Sequence, residues 1–256
     1  MINLLQGEVK RGVFSRGFFI GCLGVTALLF TAVGGMLEKE SYSSVWYFMG
    51  LALQGSGMAS TILTILPVFA YGLSYAQDVE GNSSYFFIIR SGITRYSLVK
   101  IIIAGITGFL VVFLGLLLFI LLLWTRYPFF IQATSDGPYD LLIKQGDTLK
   151  GVFFYLTHQG LVGTLVSVSA ICFSSFIPNV FTTAAAPMII YFSLLRITSS
   201  MQLPMIIDPL YWVAAMYTGE VSATESLLMK GAVITILCFI LGTVTLWRIR
   251  RRVLHG

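Results

Sequence analysis

Few residues in this chain are of a type that could do chemistry, and their spacing excludes several classes of enzyme. The two histidines, His158 and His255, cannot form an HExxH zinc site. No glycine is followed directly by a lysine, so the chain has no phosphate-binding loop of the GxxxxGKS/T type and is not expected to hydrolyse ATP itself. The cysteines all lie in apolar runs, where they act as small hydrophobic residues: Cys22, Cys172 and Cys238. We therefore expect no metal and no cofactor bound by this chain.

Ser74 and His158 are the remaining candidates for nucleophilic chemistry. Ser74 is predicted at one end of a membrane span, and His158 lies near the opposite end of another. At 1.5 Å per helical residue the two should be more than about 15 Å apart, so they could not share a proton. We expect Ser74 to pack between helices. His158, beside Gln159, is either a neutral hydrogen-bonded side chain or a proton relay.

One long polar stretch, 77–100, interrupts the apolar runs on the side that carries most of the positive charge. Asn82 or Ser83 can accept a backbone hydrogen bond at the start of a short helix that ends before Gly92. Thr94 can cap the helix that follows. The pattern therefore predicts a short helix lying on the membrane surface between two spans.

This predicted helix is amphipathic, and its aromatic residues fall on two faces. Tyr85, Phe86 and Ile89 share one face, which we expect to meet the lipid. Phe87 falls on the polar side with Arg90, where its apolar surface would cost about 1.5 to 3 kcal/mol unless a partner covers it. A plain cytosolic loop is the alternative interpretation, because the positive-inside rule alone accounts for the charges.

The elements around this stretch are membrane spans. With 57% hydrophobic and 11% charged residues among 256, the chain is too apolar for a water-soluble globule. It has room for about six helical spans, and no polar run is long enough for a second domain. We predict an all-α, polytopic fold with one transmembrane domain over 1–256. The expected spans are 17–37, 55–76, 101–124, 151–177, 180–197 and 231–247.

Charge asymmetry predicts the topology of these spans. Ten basic residues fall on the side of both termini and six on the other, which favours cytoplasmic termini. Residues 1–16 have helical spacing with a basic face, which predicts an amphipathic helix along the inner surface. The basic residues lie at span ends rather than on one face, so nucleic acid is not an expected partner.

The segments on the other side of the membrane are expected to be interfacial or hydrated. Trp46 suits an aromatic belt before the second span, which Pro67 should kink. Asp140 is expected to keep an external loop, 126–150, in contact with water. Residues 204–216 are expected to form a re-entrant or interfacial helix.

Several of these features together resemble the ABC-2 type transporter permeases. Between the second and third spans the resemblance rests on an acidic residue followed by glycine, arginine and lysine: Asp78 or Glu80, then Gly81, Arg95-Tyr96 and Lys100. Two further runs are similar to the family's layout: Glu8-Val9-Lys10-Arg11, and Pro204 with Asp208-Pro209-Leu210-Tyr211-Trp212. The resemblance extends over nearly the whole chain.

The resemblance implies the membrane subunit of a bacterial exporter in the plasma membrane. A separate ATPase subunit would bind ATP and Mg, and a second permease copy or a homologous permease would complete the assembly in the lipid bilayer. The cargo would be an amphipathic peptide, antibiotic or lipid, as in permeases for bacteriocin or antibiotic self-protection. The residues implied to couple to the ATPase are Asp78, Glu80, Gly81, Phe87, Arg90, Arg95 and Lys100.

Two alternatives stay open. The chain could instead be a non-transporting membrane interaction or immunity protein that acts through its external loops. In the first span, Gly17, Gly21 and Gly24 have a spacing that predicts a close helix contact. That contact lies either between two permease copies or within one subunit.

Overall fold

The computed structural model describes residues 2–35, 37, 44–54, 65–131, 138–198 and 222–255. Regular structure within these ranges is entirely helical, which confirms the all-α prediction for the described part of the chain. A π-helical segment, Val68–Gly72, precedes the fourth α-helix. In chain order the helices are α1 Ile2–Val13, α2 Arg16–Val33, α3 Val45–Gln54, α4 Ser74–Glu80, α5 Ser84–Ser91, α6 Ile93–Trp124, α7 Pro138–Lys144, α8 Thr148–Phe176, α9 Val180–Thr198 and α10 Ala223–His255.

Among the described residues, five helical stretches are long and apolar enough to cross a membrane: Leu4–Val33, Ile93–Trp124, Thr148–Phe176, Val180–Thr198 and Ala223–Leu254. The first combines α1 with α2, and the others coincide with α6, α8, α9 and α10. The expected second span, 55–76, lies partly outside the described residues. Long apolar helices of a membrane protein are thus confirmed, and the count of six stays a prediction.

Helices α6 and α8 form the antiparallel centre of the bundle. Gly105 faces Thr164, and further along α6 the ring of Phe113 meets that of Phe153. The two backbones come closest at Gly108 and Gly163, where a Cβ on either residue would lie 2.3 Å from the other's carbonyl oxygen. Only glycine permits this approach, because no side-chain movement can relieve a clash with backbone. The start of α6 and the start of α8 therefore lie at opposite ends of the bundle.

The glycine face of α2 packs against this same chain. A Cβ on Gly17 would meet the Phe69 carbonyl oxygen at 2.7 Å, and one on Gly24 would meet the Leu66 side chain at 3.2 Å. Gly21 lies equally close to Val111 of α6. These glycines therefore contact residues of their own chain, and a contact with a second copy stays a prediction.

The helix is irregular directly after Pro67, and the kink that the sequence allows at this proline stays a prediction. Regular α-helical bonding gives way to the π-helical segment directly after this proline, whose carbonyl accepts a hydrogen bond from the Ser167 hydroxyl at 3.0 Å. A π-helical turn of this kind is rare and widens the helix locally. The widened turn carries Tyr71, which faces α1 through a bond to Glu8.

Two segments expected to be interfacial or hydrated are helices packed into the bundle. Trp46 lies in the first turn of α3, and Asp140 lies in the short helix α7; both side chains are buried. The expectation that Asp140 is hydrated is therefore wrong. Its carboxylate is buried because it accepts a hydrogen bond from the Trp46 indole N–H, which replaces water. The predicted re-entrant helix, 204–216, lies outside the described residues.

The N-terminal and C-terminal helices meet the same end of the bundle, which we call the terminal end. Arg11 of α1 contacts Asp78 of α4, which leads through α5 into the start of α6. Arg252 of α10 donates to the backbone carbonyl of Phe176 at the close of α8. Because α6 and α8 are antiparallel, these two contacts lie at one end. The side of the membrane that this end faces stays a prediction.

Candidate functional site

A cluster of polar side chains lies at the terminal end, where four elements meet, and all of them are buried except the exposed arginine of α1. Helix α1 contributes an acid and a base three residues apart, and α6 contributes a tyrosine and a lysine four residues apart, so each pair shares one helix face. The π-helical segment and the last turn of α4 add one residue each. We call the set the charge cluster, and its members are Glu8, Arg11, Tyr71, Asp78, Tyr96 and Lys100.

Lys100 is at the centre of the charge cluster and is fully buried, at 0% exposure. Its Nζ lies 2.8 Å from Asp78 Oδ2 and 3.2 Å from Glu8 Oε2. The rings of Tyr71 and Tyr96 flank the ammonium, with centroids at 5.0 Å and 5.5 Å. This lysine therefore joins α6 to both α1 and α4, and the aromatic faces add cation–π attraction.

The two carboxylates receive further donors. Arg11 Nη1 lies 2.6 Å from Asp78 Oδ1, and the Tyr96 hydroxyl donates to Asp78 Oδ2 at 2.7 Å. The Tyr71 hydroxyl donates to Glu8 Oε2 at 2.5 Å. Two acids thus face two bases, so the cluster carries no net formal charge. Buried ions are tolerated only with pairing and hydrogen bonding of this kind.

The environment of Asp78 lowers the pKa of its carboxyl group below the ordinary value. Burial alone would raise this pKa, because a low-dielectric site disfavours the charged form. The charge of Lys100 and the hydrogen bonds from Lys100, Tyr96 and Arg11 act in the opposite direction and outweigh burial. Asp78 is therefore ionised at neutral pH.

The structure separates the two candidates for the acidic position. Asp78 is 1% exposed and belongs to the charge cluster. Glu80 is exposed, and its Oε1 accepts a hydrogen bond from the Val180 backbone N–H at 3.0 Å, at the start of α9. A carboxylate in this position satisfies an unpaired donor at the helix N-terminus. Asp78 is thus joined to α1 and α6, whereas Glu80 is joined to α9.

The other sequence-predicted residues lie around α5. Gly81 ends α4 with a negative φ of −82°, so this position does not require glycine for its backbone angle. Arg90 and Arg95 are exposed and form no ion pair with a described carboxylate. None of these three belongs to the charge cluster, although all lie within about 20 residues of Asp78 in the sequence.

The prediction that Phe87 lies on the wet side of the surface helix is wrong. Phe87 is half-buried and stacks on Tyr96, with ring centroids 6.3 Å apart and planes within 10°. Ile88 is buried beside it, so this is the face of α5 that packs on α6. The helix itself is confirmed: it ends at Ser91, and Gly92 follows with a positive φ of 81°. Gly92, rather than Thr94, occupies the N-cap position of α6.

The exposed face of α5 consists of Tyr85, Phe86 and Ile89, which are 55%, 70% and 80% exposed. These are the residues that the sequence grouped on one face. They leave a compact apolar patch next to the charge cluster, and we call it the α5 patch. A patch of this kind requires lipid or a protein partner to cover it.

Sequence reasoning did not assign Glu8, Arg11, Tyr71 or Tyr96 to the site. A signal existed for Glu8 and Arg11, because an acid and a base three residues apart in an amphipathic helix can face one partner. The signal for Tyr96 is only its place beside Arg95 in the stretch that resembles the ABC-2 permeases. Nothing in the local sequence distinguishes Tyr71, since only the fold brings the π-helical segment against α1.

A second polar cluster lies at the opposite end of the bundle. The Trp46 indole bonds to Asp140, and the Tyr139 hydroxyl lies 2.9 Å from His158 Nδ1. Gln159 is buried next to His158. These bonds fasten α7 to α3 and α8. Ser74 is buried near the charge cluster, so the structure also keeps Ser74 and His158 at opposite ends, as the sequence indicated.

No family model matches this sequence, and comparison with curated proteins and with solved structures finds no similar protein.

Proposed function

We propose that this chain is the membrane subunit of an ABC-2 type exporter, driven by ATP hydrolysis in a separate subunit. The observation that carries the proposal is the position of the charge cluster relative to α5. Asp78 lies just before this surface helix, and Tyr96 and Lys100 lie just after it. A displacement of α5 would therefore act through buried ion pairs on α1 and on the long helix α6.

The α5 patch supports the same proposal, because it offers a contact surface for the ATPase. Phe86 and Ile89 project from a helix whose other face is fixed by Phe87 and Ile88. The exposed guanidinium groups of Arg90 and Arg95 flank the patch at its C-terminal side and suit acidic residues on a partner. The partner would bind ATP and Mg, and a second permease would complete the pathway for an amphipathic cargo in the bacterial plasma membrane.

The proposal is tested by co-expression with the ATPase encoded beside this chain, followed by co-purification and ATP-dependent efflux from vesicles. Phe86→Ala should weaken ATPase association about tenfold or more, because a phenyl ring buried in an interface is worth about 1.5 to 3 kcal/mol. The matched control is Phe239→Ala in α10, whose ring is 72% exposed, against 70% for Phe86.

Phe239→Ala should leave association and efflux unchanged. Failure of any nucleotide-binding protein to associate with the wild-type chain would contradict the proposal. Protection of cells without ATP-dependent efflux would instead support the immunity-protein alternative.

A further inference from the structure

The C-terminal part of α10 carries four guanidinium groups, and none of them forms an ion pair with a carboxylate of the described residues. Four positive charges in five residues repel one another, and an external anion would relieve that repulsion. The residues are Arg248, Arg250, Arg251 and Arg252.

Two of the four turn toward the close of α8. Arg248 and Arg252 are one helical turn apart and therefore share a face of α10. The Arg248 Cζ lies 5.2 Å from the centroid of the Phe176 ring, and Arg252 Nη2 donates to the Phe176 carbonyl at 2.9 Å. Both guanidinium groups thus contact one residue, at the C-terminus of a neighbouring helix.

These two side chains also keep donors that the described part of the chain does not satisfy. Arg248 Nε and Arg252 Nη1 are both buried and have no hydrogen-bond partner among the described residues. Buried donors without acceptors are costly, and charged donors are the most costly of all. Arg252 also interacts with the hydroxyl of Tyr75, which takes up part of its donor capacity. An anion with several oxygen atoms, bound at the ends of α8 and α10, would offer acceptors to both guanidinium groups.

The surroundings of the pair are apolar and face outward. Phe176 is 41% exposed, Ile177 56% and Trp247 54%. Trp247 has the guanidinium of Arg251 over its ring at 5.6 Å. With 33 residues, α10 is about 50 Å long, so it extends beyond a hydrocarbon core of about 30 Å. Its arginines then reach the headgroup layer, where tryptophan and arginine are typically found.

We propose that Arg248 and Arg252, together with the close of α8, bind the phosphate group of an anionic phospholipid. The planar guanidinium donates two parallel hydrogen bonds to phosphate oxygens, which a point charge cannot do. Free phosphate has the same chemistry. The exposed apolar residues beside the pair favour the lipid, because they would contact its acyl chains. This inference does not depend on export, so it can be tested with this chain alone.

The test uses the purified full chain in neutral detergent, titrated with phosphatidylglycerol, phosphatidylcholine or inorganic phosphate. Thermal stabilisation gives an apparent dissociation constant for each, and gel filtration confirms folding. Phosphatidylglycerol should bind about tenfold more tightly than phosphatidylcholine, because each basic residue near an anionic headgroup contributes measurable attraction.

Two double variants remove equal charge from different places. Arg248→Gln with Arg252→Gln should weaken phosphatidylglycerol binding about tenfold more than Arg250→Gln with Arg251→Gln, since only the first pair removes the donors beside Phe176. If the first variant does not fold, Arg248→Lys with Arg252→Lys keeps the charge and removes the planar donors. That variant should bind phosphatidylglycerol several-fold more weakly than the wild type.

Equal weakening by the two Gln pairs would overturn the proposal in favour of diffuse attraction. Wild-type affinity in the Lys pair would overturn it as well. Equal stabilisation by inorganic phosphate at the same concentration would assign the site to a free anion. Unchanged lipid binding in the first Gln pair, with loss of a co-purifying protein, would assign it to an acidic protein surface.

Discussion

At the scale of single residues, substitution of Lys100 is expected to lower the stability of the fold. Its ammonium group is the shared partner of two carboxylates that belong to different helices. Replacing buried ion pairs as a set with apolar residues is often neutral, but removing one partner leaves an uncompensated charge. The charge cluster therefore connects α6 to α1 and α4, and we do not expect it to add net stability relative to an apolar core.

Lys100→Met should destabilise the protein by about 3 to 5 kcal/mol, because Glu8 and Asp78 would keep their charges in a buried site. The control is Lys10→Met, which removes an exposed lysine from α1 and should cost less than about 1 kcal/mol. Unfolding by a denaturing detergent, followed by circular dichroism, measures both. Equal losses in the two variants would show that the cluster is not held by Lys100.

The lowered pKa of Asp78 predicts a dependence of stability on pH. A carboxyl group whose folded-state pKa lies below its unfolded value of 3.8 stabilises the fold above that pH, and the contribution is lost as pH falls through the folded-state pKa. The wild-type melting temperature should therefore fall below about pH 4 more steeply than that of Asp78→Asn. Parallel melting curves for the two proteins from pH 6 to pH 3 would contradict this assignment.

At the scale of elements, close helix contacts and one stacked ring pair position the charge cluster. The crossing of α6 and α8 depends on two glycines that face each other. The attachment of α5 depends on Phe87, whose ring lies parallel to that of Tyr96. Each contact can be tested by a substitution whose effect on stability is measured against a control variant.

Gly108→Ala should destabilise the bundle by about 1 to 3 kcal/mol, the usual cost of overpacking a close contact. The new Cβ would lie 2.3 Å from the Gly163 carbonyl oxygen, so the helices would have to move apart. Gly231→Ala in α10 is the control, because nothing lies within 4 Å of its Cβ position. That variant should be neutral or slightly stabilising, since alanine has the higher helix propensity. Equal melting temperatures would refute the close crossing.

Phe87→Ala and Phe86→Ala should differ in which property they change, the melting temperature or the association with the ATPase. The first removes a stacked ring pair worth about 0.5 to 1.5 kcal/mol and should lower the melting temperature. The second removes an exposed ring and should leave the melting temperature unchanged while weakening association with the ATPase. Thermal unfolding and co-purification of matched preparations distinguish them. If Phe87→Ala weakened association with the ATPase without lowering the melting temperature, Phe87 would contact the ATPase directly.

At the scale of the whole molecule, the charge cluster and the end of α10 place both termini at one end of the bundle. The prediction concerns the side of the membrane that this end faces. Cysteines introduced singly at Gly7 and Arg250 should react with an impermeant reagent only from the cytoplasmic side. A cysteine at Gln145, beside α7, should react only from outside.

These measurements require a background in which Cys22, Cys172 and Cys238 are replaced by alanine. All three introduced positions are exposed, so failure to react reports sidedness rather than burial. Reaction of Gly7 and Arg250 positions from opposite sides would contradict the fold, whereas reaction of both from outside would contradict only the predicted orientation.

The sequence by itself determined the membrane character, the long helices and the short helix α5, because these depend on composition and on local periodicity. It also placed Asp78 and Lys100 in one polar stretch and predicted a close helix contact at the glycines of α2. Tertiary structure decided which residues meet. Asp78 and Glu80 are two positions apart and chemically alike, yet packing buries one against α1 and α6 and leaves the other at the start of α9. Phe87 turned inward because a ring from α6 was available to stack on it, and hydrophobic periodicity on one short helix carries no information about that neighbour.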